Sequence, residues 1–96
     1  MIDFLIISGI KKQTIEKIKE NPSNVYDLQV NKEECIKIIT FLKLIGINNI
    51  DGLLLNSLGL FLKTKDEVVE LFYKYNIQQL VNAINEDINN IDIIFQ

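Results

Sequence analysis

Phe4-Leu5-Ile6-Ile7-Ser8-Gly9-Ile10 and Phe41-Leu42-Lys43-Leu44-Ile45-Gly46-Ile47 are one phrase written twice, 37 residues apart. A third copy, Leu71-Phe72-Tyr73-Lys74-Tyr75-Asn76-Ile77, follows 30 residues later. Apolar matches are cheap in a chain with 18 Ile among 96 residues. The Gly9, Gly46, Asn76 series carries more information. Gly, and after it Asn, tolerates the left-handed backbone that follows a helix end. Each copy therefore reads as a helix end, a left-handed stop and a buried Ile.

Working outward, two helix starts are marked. Asn31-Lys32-Glu33-Glu34 and Thr64-Lys65-Asp66-Glu67 each put a capping side chain three residues before a Glu, the pattern of a capping box. After the first, Cys35, Ile38, Ile39, Leu42 and Ile45 form a stripe at helical spacing, predicting a helix over 32–45. After the second, Val68, Leu71, Phe72 and Tyr75 predict one over 65–75. Shorter helices are expected near 12–20, 49–56 and 78–85. Asn21-Pro22 closes the first of these, because the residue before Pro avoids helical angles. Ile50, Leu54 and Phe61 align with Leu80, Ile84 and Ile91, which places an irregular apolar turn after each second helix. Gly52 and Gly59 are expected to permit close helix approach. Strand competes with helix for Ile2–Ile7 and Ile91–Phe95, both short and rich in β-formers.

The expected fold is all-α: a single domain over 1–96, built as a short array of about three helix-pair units, a small solenoid or an orthogonal bundle. The length suffices for one modest core.

Composition narrows function by exclusion. The chain has no His and one Cys, and its ten cations are all Lys. Without His the commonest general base is missing, and Cys35, on an apolar helix stripe, reads as a buried structural thiol. Thiolate and imidazole metal sites need more ligands than this. The pairs Glu33/Glu34 and Asp66/Glu67 are accounted for as first-turn acids. Asp87, Asn89, Asn90 and Asp92 lack the Gly and closing Glu of a calcium loop. The four glycines form no phosphate-binding pattern. The expectation is a non-enzyme with no cofactor and no metal.

A lone cysteine suits a reducing, cytoplasmic setting. Met1–Ile10 lacks the basic start of a signal peptide, and no apolar run approaches the roughly 20 residues of a membrane span.

Net charge is −3, unevenly placed: residues 1–48 carry seven Lys and six acids, residues 49–96 three Lys and seven acids. Lys11, Lys12, Lys17 and Lys19 are the nucleic-acid candidates, with Lys43 beside them. Glu16 and Glu20 interrupt this cluster, and an acidic chain repels phosphate backbones. Both ends are apolar where a solenoid ordinarily carries polar caps. Phe4, Leu5, Tyr73, Ile93, Ile94 and Phe95 are therefore the candidate partner-binding residues, in a protein–protein contact or a homo-oligomer.

The phrase Phe41–Ile47 followed by Leu53-Leu54-Leu55 resembles the repeat of the mitochondrial transcription termination factor family. Asn21-Pro22-Ser23-Asn24-Val25 is similar to that family's Pro-x-x-Leu turn, with Val25 in the Leu place. The resemblance implies units of two helices and a short 3₁₀ turn stacked into a curved solenoid. It also implies nucleic-acid binding through basic surfaces, which here would fall to Lys11–Lys19. Only the first unit has the Pro; Ser57 and Asp87 take its place later, and residues 23–32 include an insertion.

Overall fold

Three successive units carry the chain in the computed structural model, which describes residues 2–96. The first comprises α1 (Phe4–Ile7), α2 (Lys12–Lys19) and α3 (Pro22–Val30). The second comprises α4 (Lys32–Ile45), α5 (Ile50–Asn56) and the 3₁₀ helix η1 (Leu58–Leu62). The third comprises α6 (Lys65–Phe72), α7 (Ile77–Glu86) and the 3₁₀ helix η2 (Ile88–Phe95). No strand occurs among the described residues.

The two glycine stops are full Schellman motifs. Gly9 and Gly46 have φ of 90° and 101°. In the first, Ile10 N donates to Leu5 O and Gly9 N to Ile6 O, both at 3.0 Å. In the second, Ile47 N donates to Leu42 O at 3.0 Å and Gly46 N to Lys43 O at 3.1 Å. The Ile after each glycine is buried beside the Leu whose carbonyl it caps, the apolar contact that accompanies this motif.

The third copy departs from the pattern. Asn76 has φ −68° and ψ 114°, and its side chain accepts a hydrogen bond from Gln79 N. It starts α7 instead of stopping α6, which ends at Phe72. Asn tolerates left-handed backbone but gains nothing from it, whereas an Asn cap contributes about 1 kcal/mol, so the side chain takes the second role. Tyr75 accordingly lies beyond α6 and is exposed, donating its hydroxyl to Ile93 O at 3.0 Å.

Of the two expected capping boxes, that at Thr64 forms in both directions. The one at Asn31 does not. Asn31 N is already bonded to Asp27 O at the end of α3, so Glu34 has no orphan donor to reach back to. Asn31 Nδ2 instead donates to Phe61 O and Lys63 O, each at 2.9 Å. Glu34 accepts from Lys65 N at 2.7 Å. Both side chains thus tie the start of α4 to the start of α6.

Residues 22–30, expected as turn and insertion, are helix α3. Asn-Pro ends α2 as expected, but Pro22 then sits in the first turn of α3, where its fixed φ and missing N–H fit. Asn21 Oδ1 accepts from Ser23 N at 3.1 Å to cap it.

The competing strand reading of both ends gives way to helix. Ile88, Ile91 and Ile94 recur every third residue, the spacing that stacks side chains on one face of a 3₁₀ helix; Ile91 and Ile94 are buried and Ile88 packs against the core. Phe41 and Phe72, both buried, meet edge to face at 5.7 Å. α4 packs on α6 and η1, α2 on α3 and α5, and α5 and α7 on η2.

A Cβ on Gly52 would lie 2.5 Å from Ile88 Cδ1, so this glycine does permit close approach. Gly59 faces open space and does not. The radius of gyration, 12.6 Å, matches the roughly 12.5 Å of a compact chain this long. The array is short enough to roll into one globule, with extents of 35 × 24 × 23 Å.

Candidate interaction surface

The apolar ends do fold back. Phe4, Leu5 and Ile94 are buried in the chain's own core at 7%, 0% and 2% exposure, so these three candidate partner residues are structural. The reason is periodicity: each sits one turn from another apolar residue and faces inward with it. Ile93 is half-buried, and Phe95 is exposed with Lys63 Nζ 6.0 Å from its ring centre. Tyr73 is 63% exposed and touches Phe41 edge-on at 6.4 Å.

Sequence reasoning missed the larger apolar exposure. Ile7 and Leu44 are 91% and 81% exposed. They occupy the same position in their units, two residues before Gly9 and Gly46. That position lies in the last helical turn, off the buried stripe. Ile7 and Leu44 were therefore visible in the repeated phrase, had exposure been read from register as burial was.

Two contacts link the three helix ends. Lys43 Nζ, from the end of α4, donates to Ser8 O after α1. Phe41 near the end of α4 meets Tyr73 just after α6. Ile7, Leu44 and Tyr73 are the exposed apolar rim residues of these three helix ends. Leu44 also lines a shallow groove along α4, of about 380 Å³, with Ile36, Lys37, Thr40, Phe41 and Lys65. Its only charged lining residues are lysines; Lys37 is 3.4 Å from Glu34, a bridge that leaves it largely in solvent. The groove is apolar along its length with Lys37 and Lys65 at its margin, where Glu34 also meets both residues. A larger hollow, about 490 Å³, lies against α2 and α3 and is lined by Lys19, Pro22, Val25, Tyr26 and Gln29. It does not include the rim residues.

The lysine cluster is placed differently from what a phosphate site requires. Lys11, Lys12, Lys17 and Lys19 are all exposed. Lys12 and Lys19, seven apart, share one flank of α2, while Lys17 stands on another between Glu16 and Glu20. The positive N-terminus of α2 already holds an anion. Asp51 Oδ2 accepts from Lys11 N at 2.8 Å and from Thr14 Oγ1 at 2.7 Å. A phosphate approaching there meets a carboxylate. Lys43 is directed to Ser8.

Remaining reactive groups have structural surroundings. Burial pushes the Cys35 thiol up to about 12, far from the thiolate that attacks or binds metal. Glu34 is held below its ordinary value chiefly by the hydrogen bond from Lys65 N, and Glu67 chiefly by that from Thr64 N. Among the described residues no three acidic or cysteine side chains converge as metal ligands, and no helix is long and apolar enough to cross a membrane.

The chain matches no protein-family model, no curated protein and no solved structure.

Proposed function

We propose that the protein is a non-enzymatic helical-repeat interaction module that binds a protein partner through the exposed apolar residues at the ends of α1 and α4 and the groove along α4. The observation that carries this reading is the pair Ile7 and Leu44. They are large, aliphatic and almost wholly exposed, and they occupy the same place in successive units. Scattered exposed hydrophobics need no explanation, but Leu44 adjoins Ile36 and Phe41 in one groove, and a contiguous apolar patch edged by polar groups is a recognised mark of an interface. The lysines at the groove margin select the partner's chemistry: an apolar helix face or extended segment flanked by carboxylates. The succession of two α-helices and a 3₁₀ helix in the second and third units supports carrying the architecture of the termination-factor repeat into this reading. The mixed charges around α2 support leaving out that family's nucleic-acid activity.

The test uses the full chain immobilised as wild type and as Leu44→Asp. A partner retained by the wild type is purified and titrated against both by calorimetry. Burying an unpaired carboxylate in the contact costs several kcal/mol, so binding should fall by at least about a hundredfold. Equal affinity for wild type and variant rules out the rim as the binding surface. The reading also fails if the partner proves to be RNA or DNA held by Lys12 and Lys19.

A further inference from the structure

α4 and α6 run side by side in the same direction. Their starts are tied where Asn31 Nδ2 donates to Lys63 O at 2.9 Å and Glu34 accepts from Lys65 N at 2.7 Å. Further along, Phe41 meets Phe72 at 5.7 Å and Tyr73 at 6.4 Å, edge to face in both cases. Each helix sets residues four apart along its outer surface: Ile36, Thr40 and Leu44 on α4, and Lys65, Val69 and then Tyr73 on or just after α6. Residues at this spacing form a ridge. The α4 ridge is exposed throughout; Lys65 and Val69 are half-buried and Tyr73 is exposed. The groove of about 380 Å³ takes its lining from the α4 ridge, Lys37 and Phe41 on one helix and Lys65 on the other. Phe41, 8% exposed, is its floor.

We infer that the occupant of this groove is a single amphipathic helix of a partner protein, carrying carboxylates beside its apolar face and laid along the seam of α4 and α6. This occupant rests on the partner-binding reading above and makes it specific. Length fits first. Ile36 and Leu44 are about 12 Å apart along α4, two helical turns, the reach of apolar anchors at i, i+4 and i+7 of an incoming helix. Backbone chemistry decides between a helix and an extended segment. Among the described residues that line the groove, Thr40 is the only neutral polar one, and its hydroxyl already donates to Ile36 O at 3.0 Å. An extended segment would find no side chain there to take up its N–H and carbonyl groups, whereas a helix arrives with its own backbone paired. Charge selects carboxylates. Lys37 and Lys65 are the charged lining residues, and the hydrogen bond from Lys65 to Glu34 is made by its backbone N, not by its ammonium. A second copy fits worse. An antiparallel pair of α4 helices that sets Ile36 against Leu44 centres on Thr40, and so brings Lys37 against Lys43 twice.

The test pans a displayed library of random peptides, about 15 residues long and so able to hold a helix, on the immobilised full chain after depletion on Leu44→Asp. Recovered peptides should carry apolar residues at i, i+4 and i+7 with Asp or Glu beside them. Made synthetically, they should gain far-UV helical signal on mixing with the protein. In fluorescence anisotropy a central Pro in the peptide should abolish binding. Thr40→Glu, at an exposed site, should weaken binding by at least about tenfold, and Lys65→Gln by about threefold, the scale of one exposed charge pair. Recovered peptides that alternate with period two, are Pro-rich, or bind without gaining helix overturn the helical occupant and leave the groove as the binding surface. Peptides rich in Lys overturn its charge. If no peptide separates wild type from Leu44→Asp, the occupant and the partner-binding reading fall together. A wild-type dimer in sedimentation that Leu44→Asp dissolves gives the groove to a second copy and overturns the inference.

Discussion

Replacing Gly46 by Ala tests whether left-handed stops punctuate this fold. Gly46 sits at φ 101°, where a side chain is strained whatever the space around it. Space is not the obstacle: the nearest atom to an added Cβ is Val81 Cγ1 at 3.6 Å, an ordinary contact. The whole cost is therefore conformational. A left-handed non-glycine residue costs about 1–2 kcal/mol, and the stiffer unfolded chain returns about 0.4–1 kcal/mol. The net is a loss of about 1 kcal/mol, or roughly 4–8 °C in Tm for a domain this small. Gly59→Ala is the matched control. Its φ is not positive and its Cβ would meet nothing within 4 Å, so only the unfolded-state gain remains and the variant should be slightly more stable. Urea unfolding followed by far-UV circular dichroism reads both midpoints. Opposite signs are expected. Gly46→Ala as stable as wild type, with unchanged denaturant dependence, would refute the reasoning.

Other outcomes follow from single side chains. Asn31→Asp keeps the side chain's size but loses the two donations to Phe61 O and Lys63 O; it should destabilise by about 2 kcal/mol in the same urea assay, no better than Asn31→Ala. Glu34 and Glu67 both have lowered carboxyl values in the folded chain. Their contribution is complete above the unfolded value near 4.5 and is lost as pH falls through the folded one. Glu67→Gln should therefore lower Tm at neutral pH, leave the acid end little changed, and so flatten the acid limb of a Tm-against-pH curve. Cys35, fully buried with its thiol pushed up to about 12, should resist iodoacetamide at pH 8 in the folded protein and react promptly in urea.

The parts of the fold legible in the sequence were those encoded by local chemistry. The glycines before Ile10 and Ile47 admit few other readings, and Thr64 and Glu67 complete each other within one turn. Asn31 and Glu34 spell the same local pattern, yet tertiary structure claims both side chains for the chain thirty residues on. Nothing near Asn31 in sequence announces that its own N–H is already bonded. Pro22 was ambiguous for a related reason, since the residue that ends one helix is also suited to begin another. The site was less legible. Apolar residues near the chain ends invite an interface reading, but Leu5 and Ile94 complete the core, whereas Ile7 and Leu44 stay outside it. Only the shared register of the two phrases separates these cases.

Side-chain carbene footprinting of the chain, free and with its captured partner, examines the rim most directly. The account predicts strong labelling of Ile7, Leu44 and Tyr73 in the free protein, with Leu5 and Ile94 silent. It predicts that partner binding suppresses labelling at Ile7, Leu44, Tyr73 and Ile36 together. Protection confined to Lys11–Lys19, or a rim that stays labelled while the partner is bound, would contradict it.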